Sequence, residues 1–367
     1  METDENNFTN YSGENIEKRK ELFDAALLQG TSPGYTSPLI NSLRGIRILG
    51  KGPAMMPLAD NTIGLALVTR PQLNLTDDNI SRSEKLVSLY GAGQYSLSGY
   101  VRGMLDERWA ASNPNVALDN YSPFITCLTE YLKTSTGFGD LQLQIETSDP
   151  GLRSQVYQRV ASKLEDNGSF TINQTYFNPK PNVLQALFQV WEDYISEVTS
   201  GDRLVTPRDL YLMGNKIDYD CRIYHLIMNK DTEYLEHIFA TVQSIPVSYP
   251  VGAMANIDNS GNSLRGEGQD DFSIQFASVG MRFDEWGLIQ SFNEHTFQYN
   301  PRLRSDVRNS YFRELSPEEY IPYSYGAYPL LLPRQAEVKG EAGFSTLRTG
   351  IKLTWWVPKT MSAANFS

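Results

Sequence analysis

The side chains best able to do chemistry are few and poorly spaced for it. Histidines stand only at His225, His237 and His295, and cysteines only at Cys127 and Cys221. A zinc site takes about four Cys, His or carboxylate ligands at short characteristic spacing, and no such grouping occurs. Glu236 and His237 are adjacent, so they face apart on a strand, and there is no H-E-x-x-H helix. Two cysteines make no disulfide framework and read as small buried apolar groups.

Three short strings imitate motifs. Gly45 to Gly52, GIRILGKG, has part of a phosphate-loop spacing, but Gly52 stands where a Ser or Thr must reach magnesium. Gly30 to Gly34, GTSPG, matches G-x-S-x-G, yet a helical pattern precedes it and Pro33 lacks the N–H an oxyanion hole would use. DNSGNS, with Asp258, Asn259 and Asn262, fails the spacing of a calcium loop. Carboxylates are plentiful, and two of them suffice for glycoside hydrolysis, but Asp218 with Asp220 and Glu192 with Asp193 read as solvated faces. No cofactor, metal or catalytic set is expected, and the chain is not expected to be an enzyme.

The elements around these residues are mostly strands. Gly64 to Leu75, GLALVTRPQLNL, alternates before Pro71. A segment near 76–139 suggests inserted helices and loops. Leu141 to Thr147 and Gly168 to Asn178 alternate again. Asn182 is placed to cap the helix that follows, whose Leu184, Leu187, Trp191 and Tyr194 fall on one stripe at helical period. That stripe should pack on a sheet. Ile217 to Met228 alternates, with Asp218 and Asp220 on one face and its far end apolar on both sides. In Glu236 to Tyr249, Pro246 suggests a sheet edge. Gly252 to Gly268 is a polar loop, and Asp271 to Phe283 a further strand.

The expected class is therefore mainly β with flanking helices (α+β). The expected divisions are an arm with a short helix over 1–45, a β domain over 46–290, and an aromatic, Pro-rich extension over 291–367. The extension looks irregular apart from one strand at Leu347 to Pro358.

The formal net charge is -11. Gripping nucleic acid depends on Lys and Arg against phosphates, so this balance disfavours a nucleic-acid binder, while leaving room for a wall that DNA slides past. The densest basic stretch, Arg302, Arg304, Arg308 and Arg313, suits an acidic partner. No apolar run approaches the roughly 18 to 20 residues of a membrane span, and Met1 to Asn10 has no secretory pattern.

The order of elements carries a resemblance. A strand into an X-Pro turn (GLALVTRPQ), a strand pair, a helix centred on a Trp (FQVWEDYI), a strand ending SIPVSYP, a polar loop and the strand DFSIQFASVGMRF succeed one another. This resembles the tail-tube family of contractile-tailed phages, which includes main tube proteins and the tube-initiator and tube-cap rings. The resemblance covers roughly 61–283, interrupted near 76–139.

It implies a tail-tube-like β-barrel or sandwich with one long packed helix. It also implies a homo-oligomeric ring, a hexamer, stacked on adjacent tube, baseplate or neck rings and meeting the sheath. DNA would pass through without specific binding. The protein would reside in the virion tail after assembly in the host cytoplasm. Under it, Gly252, Asn256, Asp258, Asn259 and Arg265 form an inter-subunit loop, and Asp218 and Asp220 are candidates for the channel wall. A second class is a tail-associated polysaccharide depolymerase, or another baseplate protein.

Overall fold

The structure is a computed structural model. It describes residues 62–91, 93, 96–106, 109, 122–139, 143, 145–151, 154–161, 168–177, 182–204, 217–229, 233–249, 251, 271–304, 307–316, 327–339 and 345–359. The arm, the GTSPG and GIRILGKG strings and the loop residues Gly252, Asn256, Asp258, Asn259 and Arg265 lie outside the described residues.

The fold is mainly β with a few helices. The large sheet has six antiparallel strands in the order β1-β6-β7-β8-β5-β2. These are β1 Ile63–Val68, β2 Leu132–Thr136, β5 Ser169–Phe177, β6 Ile223–Met228, β7 Leu235–Pro246 and β8 Asp271–Phe283. Between β2 and β5 lies a separate two-stranded ribbon, β3 Ile145–Thr147 with β4 Gln158–Val160. A third sheet has the order β10-β11-β9, from β9 Phe312–Glu314, β10 Tyr328–Lys339 and β11 Ser345–Pro358. The helices are α1 Asp77–Ile80, α2 Leu97–Leu105, α3 Thr126–Glu130, α4 Val183–Thr199, α5 Trp286–Tyr299 and α6 Arg308–Tyr311. Among the described residues, no helix is long and apolar enough to cross a membrane.

The ladder of the large sheet is open, with β1 and β2 at its ends, rather than a closed barrel. It is nevertheless rolled. Ser135 on β2 reaches the His225 ring on β6, Oγ to Nε2 3.0 Å, although three strands separate them in the ladder. Phe138, just past β2, sets its ring edge-on to His225 at 4.7 Å between centroids. The gap between the sheet's ends is bridged by the α3 segment. The Ile125 N–H donates to the Val68 carbonyl at 2.9 Å, and the Thr129 hydroxyl donates to the Ala66 carbonyl at 2.7 Å. The Phe177 N–H of β5 donates to the Tyr131 carbonyl at 2.9 Å.

Helix α4 supplies the main lid of the inner face. Its Leu184, Leu187, Trp191 and Tyr194 are all 0% exposed and share a core with Ile172 and Tyr176 of β5 and Phe272, Ile274 and Phe276 of β8. Full burial of one large apolar side chain contributes about 1.5–3 kcal/mol, so this stripe alone is a large part of a domain's margin. Asn182 precedes the helix in the left-handed region at φ 66° and makes no side-chain cap bond, so it starts the helix by its backbone instead of the expected cap. Its carbonyl accepts the Ala186 N–H at 3.1 Å.

Strand β6 is buried on both sides. Ile223 faces the α4 core, while Tyr224, Leu226 and Met228 pack with Leu288, Ile289 and Phe292 of α5 and with Leu331, Ile351 and Leu353 of the third sheet. The strand expected at Leu347 to Pro358 is present as β11, and it pairs with β10, Tyr328–Lys339, a strand where an irregular tail was read from Tyr and Pro content. Pro246 does not mark a sheet edge: β7 runs inside the sheet, and Pro246 is its last residue, where a missing N–H costs little.

Candidate assembly surfaces

The strand expected from Ile217 begins only at Ile223, and α4 is the reason. The Trp191 indole N–H donates to the Tyr219 carbonyl at 2.9 Å, and the Tyr194 hydroxyl donates to Asp218 Oδ2 at 2.6 Å. The Asp218 carbonyl accepts the Gln72 N–H at 3.0 Å. Backbone and carboxylate around 218–219 are thus committed to the helix and to the segment after β1, not to a ladder. Asp218 is 3% exposed, so it cannot face a channel, which corrects its assignment as a wall residue. Asp220 is half-buried in the same irregular stretch. Burial, with the Asp218 charge beside it, raises the Tyr194 hydroxyl far above its usual range, which keeps it a neutral donor.

Polar pairs inside the fold serve architecture. Tyr176 donates to Gln174 Oε1 at 2.5 Å, Gln174 Nε2 donates to Ser135 Oγ at 3.2 Å, and Ser135 meets His225. This Ser–His pair lies within the rolled sheet among Phe138 and Phe239, and burial pulls His225 down to about 4, so it is neutral at ordinary pH. The carboxylates beside the α4 stripe are not simply solvated: Asp193 pairs with Lys85 at 3.2 Å and Glu197 with Arg203 at 2.9 Å. Burial, with Asp193 next to it, lifts Glu192 to about 7. No group of three or more His, Cys, Asp or Glu suited to a metal occurs among the described residues.

What remains is surface, and three parts of it stand out. The first is the outer face of β2, β5 and β8. The ladder aligns Thr134 with Thr175 and Ser273, and Thr136 with Asn173 and Gln275. Thr175 and Ser273 share a hydroxyl bond at 2.8 Å. At one end of this face Lys133 pairs with Asp271 and lies over the Phe177 ring at 5.2 Å. The second is the pair of sheet edges, which differ. That of β1 is engaged by the α3 segment at Ala66 and Val68, and no described strand or helix pairs along the outer side of β2. The third is the β3–β4 ribbon. All its ladder residues are exposed, including Ile145 at 61% and Val160 at 60%, beside Tyr157 at 74%.

Sequence reasoning missed these surfaces because it looked for charge and for Gly-rich loops. The face could have been read from the alternation of Ser, Thr and Asn with Ile, Gln and Tyr in SFTINQTYF and of Ser, Gln and Ala with Phe and Ile in DFSIQFASV.

Comparison with known proteins adds the context. A search of curated proteins finds no match. Among solved structures, similarity is found to a chain of the "anti-feeding prophage cap (AFP tube terminating cap)". It has 8% identity and a TM-score of 0.25, over 41% of this chain and 78% of that one. A chain of the PVC sheath/tube terminator of an extracellular contractile injection system matches at 10% identity and a TM-score of 0.23, over 41% and 84%. A chain of the PVC sheath-tube complex matches at 12% identity and 0.24, over 44% and 82%. Scores this low do not establish a shared fold. The family model described as "Putative phage tail tube protein" matches residues 27–362, nearly the whole chain, and the protein therefore belongs to that phage tail tube family.

Proposed function

We propose that this protein assembles as a ring of identical copies, six in number, stacked with other rings into the tube of a phage tail through which DNA passes. Family membership across 27–362 supports the tube itself. The observation that supports a multi-copy assembly is the set of unfinished surfaces. A β2 edge with no described neighbour and a ribbon with no core of its own are liabilities in a lone chain, and both are relieved when a neighbouring copy covers them. On this reading the protein resides in the virion tail after assembly in the host cytoplasm. Its partners are further copies, the adjoining tube, baseplate or neck rings and the sheath.

The polar loop carrying Gly252, Asn256, Asp258, Asn259 and Arg265 serves as an inter-subunit contact. Arg265 is the only Lys or Arg between Lys230 and Arg282, which makes it a clean trypsin site. Images of purified tails at modest resolution, with this chain identified by an added tag, test the ring directly: six-fold rings containing it are expected. Early cleavage after Arg265 in the free subunit and resistance in tails are expected too. Absence from tails, or a compact monomer at every concentration, would overturn the proposal.

A further inference from the structure

One chain of side-chain bonds crosses the inside of the roll, and it has a direction. The Tyr176 hydroxyl donates to Gln174 Oε1, and Gln174 Nε2 donates to Ser135 Oγ. With that bond accepted from Gln174, Ser135 directs its own proton at His225 Nε2, which takes it as a neutral ring. Two residues past Ser135, Gly137 turns at φ 117°, so close to β5 that a Cβ there would lie 2.1 Å from the Thr171 carbonyl oxygen. The turn delivers Phe138 into the roll, against Phe170, His225 and Phe239 at 5.7, 4.7 and 5.9 Å between centroids. What else holds β2 is modest: a ladder to β5 of four residue pairs with a register break, the packed Leu132, and the Lys133–Asp271 pair at the surface.

A proton on Nε2 reverses the last bond. Nε2 then donates, Ser135 must turn its own proton away, and a charged ring lies among Phe138 and Phe239. Nothing that faces His225 can answer that charge. From the β2 segment it meets Ser135 and Phe138, from β7 Phe239, and its ladder partner on β1 is Ala66. The titratable groups on these elements are committed elsewhere. Tyr176 is kept a neutral donor by burial, Lys133 pairs with Asp271, and His237 pairs with Asp284 at 2.7 Å. Beside His225 in sequence, Arg222 and Tyr224 turn to Ser291 of α5. We infer that Ser135, Phe138 and His225 form an acid-released latch: protonation of His225 frees the β2 segment, and with it the lead into the β3–β4 ribbon, while the sheet under α4 stays folded. Burial alone holds His225 at about 4, below its ordinary value of about 6.5. A depressed value fixes the sign: the latch is fully held above about pH 6.5 and is given up as pH falls through about 4, opening about tenfold more easily for each pH unit between. The inference concerns the single chain and does not rest on the ring reading.

The test is hydrogen exchange of the full chain, read by mass spectrometry over a pH series, with each rate divided by that of an unfolded peptide at the same pH. For residues 132–138 this ratio should rise about thirtyfold between about pH 7 and pH 5. Helix α4, Val183–Thr199, should keep its protection across the same range. His225→Gln should abolish the rise. His295→Gln should leave it intact, because that ring bonds the Pro123 carbonyl and not the β2 segment. If α4 is unprotected in His225→Gln at neutral pH, that variant has not folded, and Ser135→Ala is read in its place. There, residues 132–138 should exchange about tenfold faster than wild type or more at neutral pH, with α4 unchanged. The inference is overturned if wild type shows no rise, or if α4 loses protection together with residues 132–138. It is overturned too if the rise persists in His225→Gln, disappears in His295→Gln, or if Ser135→Ala is as protected as wild type.

Discussion

The two faces of β5 and β8 are made of the same strands, residue by residue in alternation, and do opposite work. Inward, Ile172, Tyr176, Phe272, Ile274 and Phe276 lie under α4 with Trp191 and Phe188. The Phe188 ring meets Phe272 and Phe276 at 6.3 and 5.9 Å between centroids. Outward, the same backbone carries Thr171, Asn173, Ser273 and Gln275, which stand exposed with little to pack on. The contrast teaches that the strands are held entirely from one side. What the outer face adds is a Thr175–Ser273 hydroxyl bond and the Lys133–Asp271 pair, small beside the core under α4.

The largest effect should come from the helix. Trp191→Ala removes a side chain that is 0% exposed and whose indole N–H is bonded, and should cost about 3–5 kcal/mol in denaturant unfolding of the purified subunit. A variant that unfolds like wild type would mean that α4 is not what holds the sheet.

Acid should act next. Burial lowers His225 and His295 to about 4, below their ordinary value near 6.5. Depressed pKa values contribute stability that is present above about pH 6.5 and lost as pH falls through about 4. Each histidine should remove about 2 kcal/mol by pH 5. His225→Gln should flatten part of that slope in a pH series of unfolding curves, and an unchanged slope would place the loss elsewhere.

Asp218→Ala should cost about 1–3 kcal/mol, since it strands the buried Tyr194 hydroxyl donor. Thermal unfolding beside a Tyr194→Phe, Asp218→Ala double variant checks it: the double variant should recover part of the loss. Smallest of all, Asn173→Ala and Thr171→Ala on the outer face should stay within about 0.5 kcal/mol of wild type by the same measurement. A loss above 1 kcal/mol there would show that the outer face is also structural.

How far the sequence could be read follows from the same asymmetry. The strands at 169–177 and 271–283 and the helix at 183–199 were legible because apolar residues recur at the period of each element and the opposite positions are polar. The strand at 345–358 was legible too, but α5 and β10 were not, because their apolar residues are used on both sides or at crossings. Leu331, Ile351 and Leu353 share one core with β6 and α5, and Tyr and Pro obscure the period nearby. The start of β6 was misplaced because alternation at Ile217 to Arg222 says nothing of the Trp191 and Tyr194 tips that claim that backbone. The outer face of β2, β5 and β8 was missed because charge was sought as the signal, whereas its Ser, Thr and Asn rows are brought side by side only by the strand register.

The β3–β4 ribbon has no core of its own. Its cross-strand bonds, such as the Ser148 N–H to the Tyr157 carbonyl at 2.9 Å, have no buried side chains behind them. Opening it in the free subunit therefore requires almost no free energy, and its amides should exchange with deuterium nearly as fast as those of an unfolded peptide. Any slowing in an assembled particle comes wholly from what the particle lays against the ribbon. The protection factor of these few amides is thus a calibrated gauge of one contact in the assembly, with next to no intrinsic background to subtract.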